Sequence, residues 1–480
     1  MKRILMTFGS FLMIAALAIG CQKVTEETQY IRFDETTYSF LGAGNAPVTI
    51  EISASGEWTV EPSASWVKVD DKTQTAVVIS VEDNDTTEER IAELVFTSGM
   101  AVEEITIIQL PQDSGSYIYR YPTQFDLGAV MSPNGKYVGG RIPVLNDDES
   151  WTHQVIIIDV ENDEWITVAE VPGSLFGLEK PYCISDSGVF FLMNNMGGTV
   201  AYDLEGNYFS PEIPSGWLAN SENVQATSSD GTIWAGWAMD KTLNDGGLNR
   251  PIKWVNGVPE ELPMPEKNFR DSVFVAGIMA RGMSADGSVI YGTSWDESDF
   301  GMCYWKDGKF NWVGYDKRTV ETIDAVDGNG NPMKYNIASG MTCTAELTNM
   351  SPNGKWIAGT WRHETGLNQS TSYPGFFDTE NGKTYLFPDL SGGGSTCTND
   401  GIGFTTSGLG ANGGQVIDIE SGAVLGTVTE WIEETYGITP GPGFIVQLSP
   451  DKQTLLSLCL ASDVATGSRT THWYIAPKKK

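Results

Sequence analysis

Ser228-Ser-Asp-Gly231 leads directly into Thr232-Ile-Trp-Ala-Gly-Trp-Ala-Met239, a turn followed by an apolar strand. The turn chemistry is local. An Asp or Asn side chain bonds its own backbone, and the Gly takes a positive φ. The phrase recurs as Ser132-Pro-Asn-Gly135, Ser185-Asp-Ser-Gly188, Ser284-Ala-Asp-Gly287, Ser351-Pro-Asn-Gly354, Thr398-Asn-Asp-Gly401 and Ser449-Pro-Asp-Lys452. Successive copies lie 43 to 67 residues apart, each between two apolar strands. A second hairpin follows in most units, at 155–168, 199–209, 251–262, 302–313, 375–386 and 415–424. Four short strands per unit at this period indicate a β-propeller, and seven copies predict seven blades over 117–480.

Two details sharpen the expectation. Eight residues after the leading Ser or Thr the side chain is small in six copies: Gly140, Gly236, Gly292, Gly359, Thr406 and Ser457, with Met193 the exception. Small residues suit a close approach of neighbouring backbones. The last unit has only one outer strand, Thr471-His-Trp-Tyr-Ile-Ala476. Its missing partner is expected to be Tyr117-Ile-Tyr-Arg-Tyr121, so that the first segment closes the ring and removes an exposed edge.

Working toward the N-terminus, residues 30–112 read as a separate small β-sandwich. Short strands such as Val48-Thr-Ile-Glu-Ile52, Ala76-Val-Val-Ile-Ser-Val81 and Ile91-Ala-Glu-Leu-Val-Phe96 alternate with turn residues. Gly56-Glu-Trp58-Thr-Val60, Ser65-Trp66-Val-Lys-Val69, Arg90-Ile-Ala92 and Ile107-Ile-Gln109 resemble the BACON domain. That resemblance implies an immunoglobulin-like module of the kind common at the N-terminus of Bacteroidetes surface proteins. The family has been linked to carbohydrate, but by association, and a fold does not confer a function. Trp58 and Trp66 each lie beside Val in a strand and are expected in the core, which makes the domain a spacer. The fold class is thus all-β throughout.

The chain opens Met1-Lys2-Arg3, then runs apolar from Ile4 to Gly20 before Cys21. A positive start and a short apolar stretch mark 1–20 as a signal peptide. Leu17-Ala18-Ile19-Gly20-Cys21 resembles a bacterial lipoprotein signal, although Ala18 stands where that signal usually has Leu. The resemblance implies Cys21 as a lipid anchor and an outer-membrane protein facing either the cell surface or the periplasm. Residues 21–29 then form a polar tether.

Composition excludes several classes. With 62 acidic against 30 basic residues, the formal net charge is −32. Nucleic-acid binding needs a basic face, so no such partner is expected. Three His leave little for a multi-His metal site or a His-dependent active centre. Asp327-Gly-Asn-Gly-Asn331 looks at first like a calcium loop, but Pro332 and Ala338 occupy the places needing Gly and Glu. It is expected to be the turn of an inserted hairpin. Neither metal nor cofactor is indicated. Cys183, Cys303, Cys343, Cys397 and Cys459 are odd in number and lack a CxxC, so they read as buried thiols.

Connections between second and third strands, and between units, are long and should gather at one mouth of the central channel. Long loops on a rigid scaffold are where function concentrates. Candidate side chains there are Arg141, Trp237, Trp295, Asp296, Trp361, Arg362 and His363 on second strands, and Tyr182, Arg281 and Glu346 on first strands, but Trp237, Trp361 and Trp295 lie nine, ten and eleven residues from their turn Ser, so they alternate faces and packing between sheets is the alternative for each. Aromatic faces with Arg, Asp and amide neighbours suit sugar rings, which points to polysaccharide or glycoprotein glycans as partners. The leading expectation is a membrane-anchored, non-catalytic glycan-binding lipoprotein. Two alternatives stand beside it. One is a propeller glycoside hydrolase or polysaccharide lyase, which would need a carboxylate pair such as Asp296 and Glu346. The other is a scaffold for a protein partner in a surface complex.

Overall fold

A computed structural model describes residues 29–477 apart from short segments, among them 110–118, 121–127, 173–179, 295–300, 344–349, 407–413 and 463–468. The chain divides into two compact units between Asp113 and Ser114. The signal segment, Cys21 and most of the tether lie outside the described residues. Among the described residues no helix is long and apolar enough to cross a membrane.

The first unit is a β-sandwich. In one sheet Thr37–Phe40 runs parallel to Ala101–Gln109, which pairs with Arg90–Ser98 and through it with Thr59–Pro62. Val48–Glu51, Ala76–Val81 and Val67–Lys72 form the facing sheet. Ile50, Val77, Ile79, Leu94, Phe96, Ile105 and Ile107 are fully buried between them. Trp58 joins this core, as expected, and its indole donates to the Gln74 carbonyl at 2.9 Å. Trp66 is half-buried beneath the Arg90 guanidinium, 4.5 Å from ring centroid to Cζ. Arg90 in turn donates from Nε and Nη2 to Gln109 Oε1, at 2.9 and 2.7 Å. The Trp, Arg and Gln read from the sequence therefore form one stacked, hydrogen-bonded cluster.

Among the described residues the second unit contains seven antiparallel sheets in chain order. Their innermost strands are Ala129–Met131, Pro181–Ile184, Asn223–Thr227, Ile278–Met283, Pro332–Thr342, Gly393–Cys397 and Gly443–Leu448. Each sheet has four strands except the fifth, which has five. Seven apolar clusters each span two neighbouring sheets. The sequence runs from Tyr137, Ile157 and Phe190 between the first and second to Ala129, Val138 and Leu456 between the first and seventh. The ring is therefore closed by packing as well as by pairing. Tyr119 and Arg120 pair with Ile475 and Tyr474 as the outer strand of the seventh sheet. The first segment thus completes the last sheet, as the sequence predicts.

The recurring turn explains why the repeat is so regular. In all seven copies the leading hydroxyl accepts the backbone N–H four or five residues on, at 2.9–3.1 Å. All seven of these Ser and Thr residues are buried. The turns also bond to one another around the ring. Asp186 N donates to Ser229 O, Ser229 N to Ala285 O, and Ala285 N to Pro352 O, at 2.7–3.0 Å. Asn134 N reaches Asp186, Asn353 N reaches Asn399, and Lys452 Nζ reaches Asp400, extending the belt across all seven sheets. Six copies place Gly at positive φ; in the seventh, Lys452 takes φ 59°. The small second-strand residue has the expected role at Gly236, where a Cβ would lie 1.8 Å from the Asn223 carbonyl oxygen.

Two elements depart from the repeat. Thr319–Val326 and Pro332–Thr342 form the inserted hairpin, whose first strand is the fifth strand of its sheet. A helix, Val428–Tyr436, follows the sixth sheet, and its inward residues Val428, Ile432 and Tyr436 pack among residues of the sixth and seventh. Thr427 and Glu430 make a reciprocal capping box at its start, and Gly437 ends it in the left-handed region.

Candidate functional site

The innermost strands surround a cavity of about 700 Å³ on the axis of the ring. Such a volume lies within the range of small-molecule sites. The backbone that builds its wall repeats a single irregularity. Register shifts by one residue between Pro181 and Cys183, Val224 and Ala226, Ala280 and Gly282, Gly394 and Thr396, and Ile445 and Gln447. The bulged residues are Tyr182, Gln225, Arg281, Ser395 and Val446, each three positions before its turn Ser or Thr. A β-bulge bends its strand and re-aims one side chain. Here the same device recurs in five sheets, and four of the five bulged residues line the cavity.

The wall has two unlike arcs. The second, third and fourth sheets contribute Lys180, Tyr182, Gln225 and Arg281 beside apolar groups such as Ile184, Ala226 and Met283. The first and seventh contribute Ala129, Val130, Met131, Val446, Leu448 and Leu458, with Gln447 among them. On the polar arc the Tyr182 hydroxyl donates to Asn223 Oδ1 at 2.6 Å. Burial raises the Tyr182 phenol well above its usual range, with the Arg281 charge opposing. Burial, and then the nearby Arg281 guanidinium, lower the Lys180 ammonium. Tyr182 is thus a neutral donor, and Arg281 supplies a fixed positive charge.

Of the side chains nominated from the sequence, Tyr182 and Arg281 are brought together in this cavity. Trp361 instead packs at 3 % exposure in the cluster between the fourth and fifth sheets. Trp237 is half-buried opposite Asn223, and Arg141 is buried opposite Val155; neither lines the cavity. Arg362 and His363 engage their own sheet. Arg362 contacts Glu364 and Ser370, and His363 Nδ1 lies 2.7 Å from Ser339 Oγ. Trp295, Asp296 and Glu346 lie outside the described residues. Lys180 and Gln225 were not singled out by the sequence reading. The signal that finds Gln225 is its place three residues before a turn Ser, a place it shares with Tyr182 and Arg281.

The end of the ring away from the turns is held by unique contacts. Arg270 and Glu364 form a buried bidentate pair, Nη1–Oε2 2.6 Å and Nη2–Oε1 2.8 Å. Arg270 also donates to the Asn336 carbonyl, and Ala338 N donates to Glu364. Together they fasten the loop before the fourth sheet to the inserted hairpin. Glu222 is likewise buried, and burial raises its carboxyl pKa despite backbone donors including Thr199 N. Cys183 and Cys303 are buried free thiols, and their burial pushes the thiol pKa far up, which makes them inert.

No curated protein matches the chain. Solved structures that resemble it include an oligogalacturonate lyase from Vibrio parahaemolyticus, 13% identical, with 88% of this chain and 98% of that one covered at a TM-score of 0.42. Another is a quinonprotein alcohol dehydrogenase-like protein from Bacteroides thetaiotaomicron, 11% identical over 72% of this chain and 92% of that one, TM-score 0.28. A xyloglucanase of Bacteroides ovatus is 22% identical, over 25% of this chain and 30% of that one, TM-score 0.17. Residues 56–110 match the BACON family, described as "Putative binding domain, N-terminal", so this segment carries the domain that its Trp, Arg and Gln resembled.

Proposed function

We propose that the protein is a lipid-anchored, non-catalytic binder of glycans or glycoproteins, with the ring's channel as the recognition surface and the sandwich as a spacer. The observation that carries this reading is the two-sided channel wall. Tyr182, Gln225 and Arg281 are aimed inward from equivalent bulges on adjacent sheets, facing an apolar arc. A sugar ring is matched to such a wall: its hydroxyls take the polar arc, and its C–H face packs on the apolar one. Anchoring rests on Cys21, whose acyl chains would hold the mature protein at the membrane.

A second reading, a glycan-cleaving enzyme, has one observation in its favour. Buried Glu222, with its raised carboxyl pKa, has the character of a general acid. The test separates the two. The full chain in detergent is screened against a glycan array, and bound glycans are then incubated and analysed by chromatography. Binding without new products supports the proposal, and product formation supports the enzyme. Labelling of growing cells with a radioactive fatty acid should mark the protein, and Cys21→Ser should abolish the label.

A further inference from the structure

A second cleft, of about 770 Å³, shares no lining residue with the channel. Much of its wall comes from one short stretch of chain. Lys309–Trp312 is the outermost described strand of the fourth sheet, and Tyr315–Lys317 is a single helical turn that follows it. Phe310, Trp312 and Tyr315 all line the cleft, with Asp271 from the loop before the sheet. Phe310 and Trp312 meet edge to face at 4.8 Å, and Trp312 meets buried Phe269 in the same way at 5.2 Å. Phe310 and Trp312 are half-buried, and Tyr315 is 60 % exposed.

A single exposed aromatic residue is ordinary. Tyr315 differs because the chain on both sides of it is fixed. Gly314 turns the chain at φ 77°, where an added Cβ would press on Trp361 and Met341. Asp316 accepts from the Thr384 backbone N–H at 3.0 Å and from the Thr384 hydroxyl, which ties the turn to the outer strand of the fifth sheet, Lys383–Leu386. Arg318 donates from Nε and Nη2 to the Phe269 carbonyl, at 2.9 and 2.7 Å, and pairs with Asp271 at 2.8 Å. Its guanidinium lies 5.5 Å from the Tyr315 ring centroid, within cation–π range. A ring held in place before a ligand arrives lowers the ordering cost of binding.

We propose that this cleft is a second binding site, for a neutral oligosaccharide, with Tyr315 and Trp312 as platforms for its rings. It stands apart from the channel, so the two sites can fail separately. The aromatic faces take the C–H faces of the sugar. Acceptors lead among the polar groups at the rim, and sugar hydroxyls donate to acceptors. Asn311 uses Nδ2 on the Lys309 carbonyl at 3.3 Å and keeps Oδ1 for a ligand. Asp271 gives one oxygen to Arg318 and, at 56 % side-chain exposure, offers the other. Arg318 is already committed to Asp271 and Phe269, and Glu266 and Asp316 line the same cleft. An acidic sugar would meet like charge there.

The experiment is calorimetric titration of the full chain in detergent with neutral oligosaccharides of glucose, mannose, xylose, galactose and arabinose, and with oligogalacturonate as the acidic counterpart. The proteins are wild type, Arg281→Ala to impair the channel, and Tyr315→Ala, Tyr315→Phe and Trp312→Ala each added to Arg281→Ala. Thermal midpoints check that each folds. If Trp312→Ala does not, the exposed Tyr315 carries the test. The proposal expects a neutral oligosaccharide to bind Arg281→Ala, with an affinity that Tyr315→Phe preserves and Tyr315→Ala lowers at least roughly tenfold. Unchanged affinity on adding Tyr315→Ala would overturn the cleft without touching the channel reading. Neutral binding that Arg281→Ala alone abolishes would overturn the cleft and support the channel. Oligogalacturonate binding to Arg281→Ala more tightly than any neutral oligosaccharide would overturn the assignment, as would a wild-type protein that binds no neutral oligosaccharide.

Discussion

The two ends of the ring are built on opposite plans. At the turn end every sheet repeats one contact, a buried hydroxyl that receives a backbone N–H, and six bonds join successive turns from the first to the seventh. Toward the other end the contacts are unique, as in the Arg270–Glu364 pair. Between them lies the bulged position, where the backbone repeats but the side chain changes from Tyr182 to Gln225 to Arg281 to Ser395 to Val446. Repetition of both backbone and side chain marks what closes the ring. Repetition of the backbone with a changing side chain marks where the proposed function places recognition of a ligand.

Breaking a unique contact should cost most. Glu364→Ala leaves Arg270 charged and buried at 4 % exposure and removes the acceptor of Ala338 N. A loss of about 3–5 kcal/mol is expected in denaturant unfolding. A repeated contact should cost less. Ser284→Ala strands the Val289 N–H and one bond to Asp286, for about 1–3 kcal/mol by the same measurement.

Smaller still is the effect of correcting the one irregular turn. Lys452 occupies a conformation at φ 59° that a side chain disfavours by about 1–2 kcal/mol. Lys452→Gly gives up a partly exposed ion pair with Asp400, worth about 0–1 kcal/mol. The net expectation is a stabilisation of about 0–2 kcal/mol.

The turn carboxylates add a pH dependence. The Ser228 hydroxyl and then the Thr232 backbone and hydroxyl hold Asp230 below its ordinary range. A carboxyl lowered in the folded state adds stability above its unfolded pKa and loses it as pH falls through the folded one. Unfolding should therefore become easier below about pH 4. Asp230→Asn should flatten that slope slightly.

The plan of the molecule was legible wherever the chemistry is local. Ser-x-Asp-Gly specifies its turn without reference to anything distant, so the repeats, the outer hairpins and the closing strand at Tyr119–Arg120 could be read directly. The helix was legible in principle from Thr427-Val-Thr-Glu430 and Gly437, but the strand repeat around it masked the signal. The site was only half legible. Tyr182 and Arg281 lie on strands whose position the turn fixes. Trp361 lies in a sheet interface, the alternative that counting from its turn Ser had left open for it. The bulges hide the rest, because one extra residue reverses the face on which every preceding side chain falls. Arg270 and Glu364 are 94 residues apart, and no local pattern joins them.

The sharpest measurement sets the two kinds of position against each other with one ligand. A glycan that the wild-type protein binds on the array is titrated into the wild-type protein, Arg281→Ala and Ser284→Ala below their unfolding temperatures. The account predicts wild-type affinity in Ser284→Ala despite its lower stability, and at least a roughly tenfold loss in Arg281→Ala. Wild-type affinity in Arg281→Ala, or an equal loss in both variants, would contradict it.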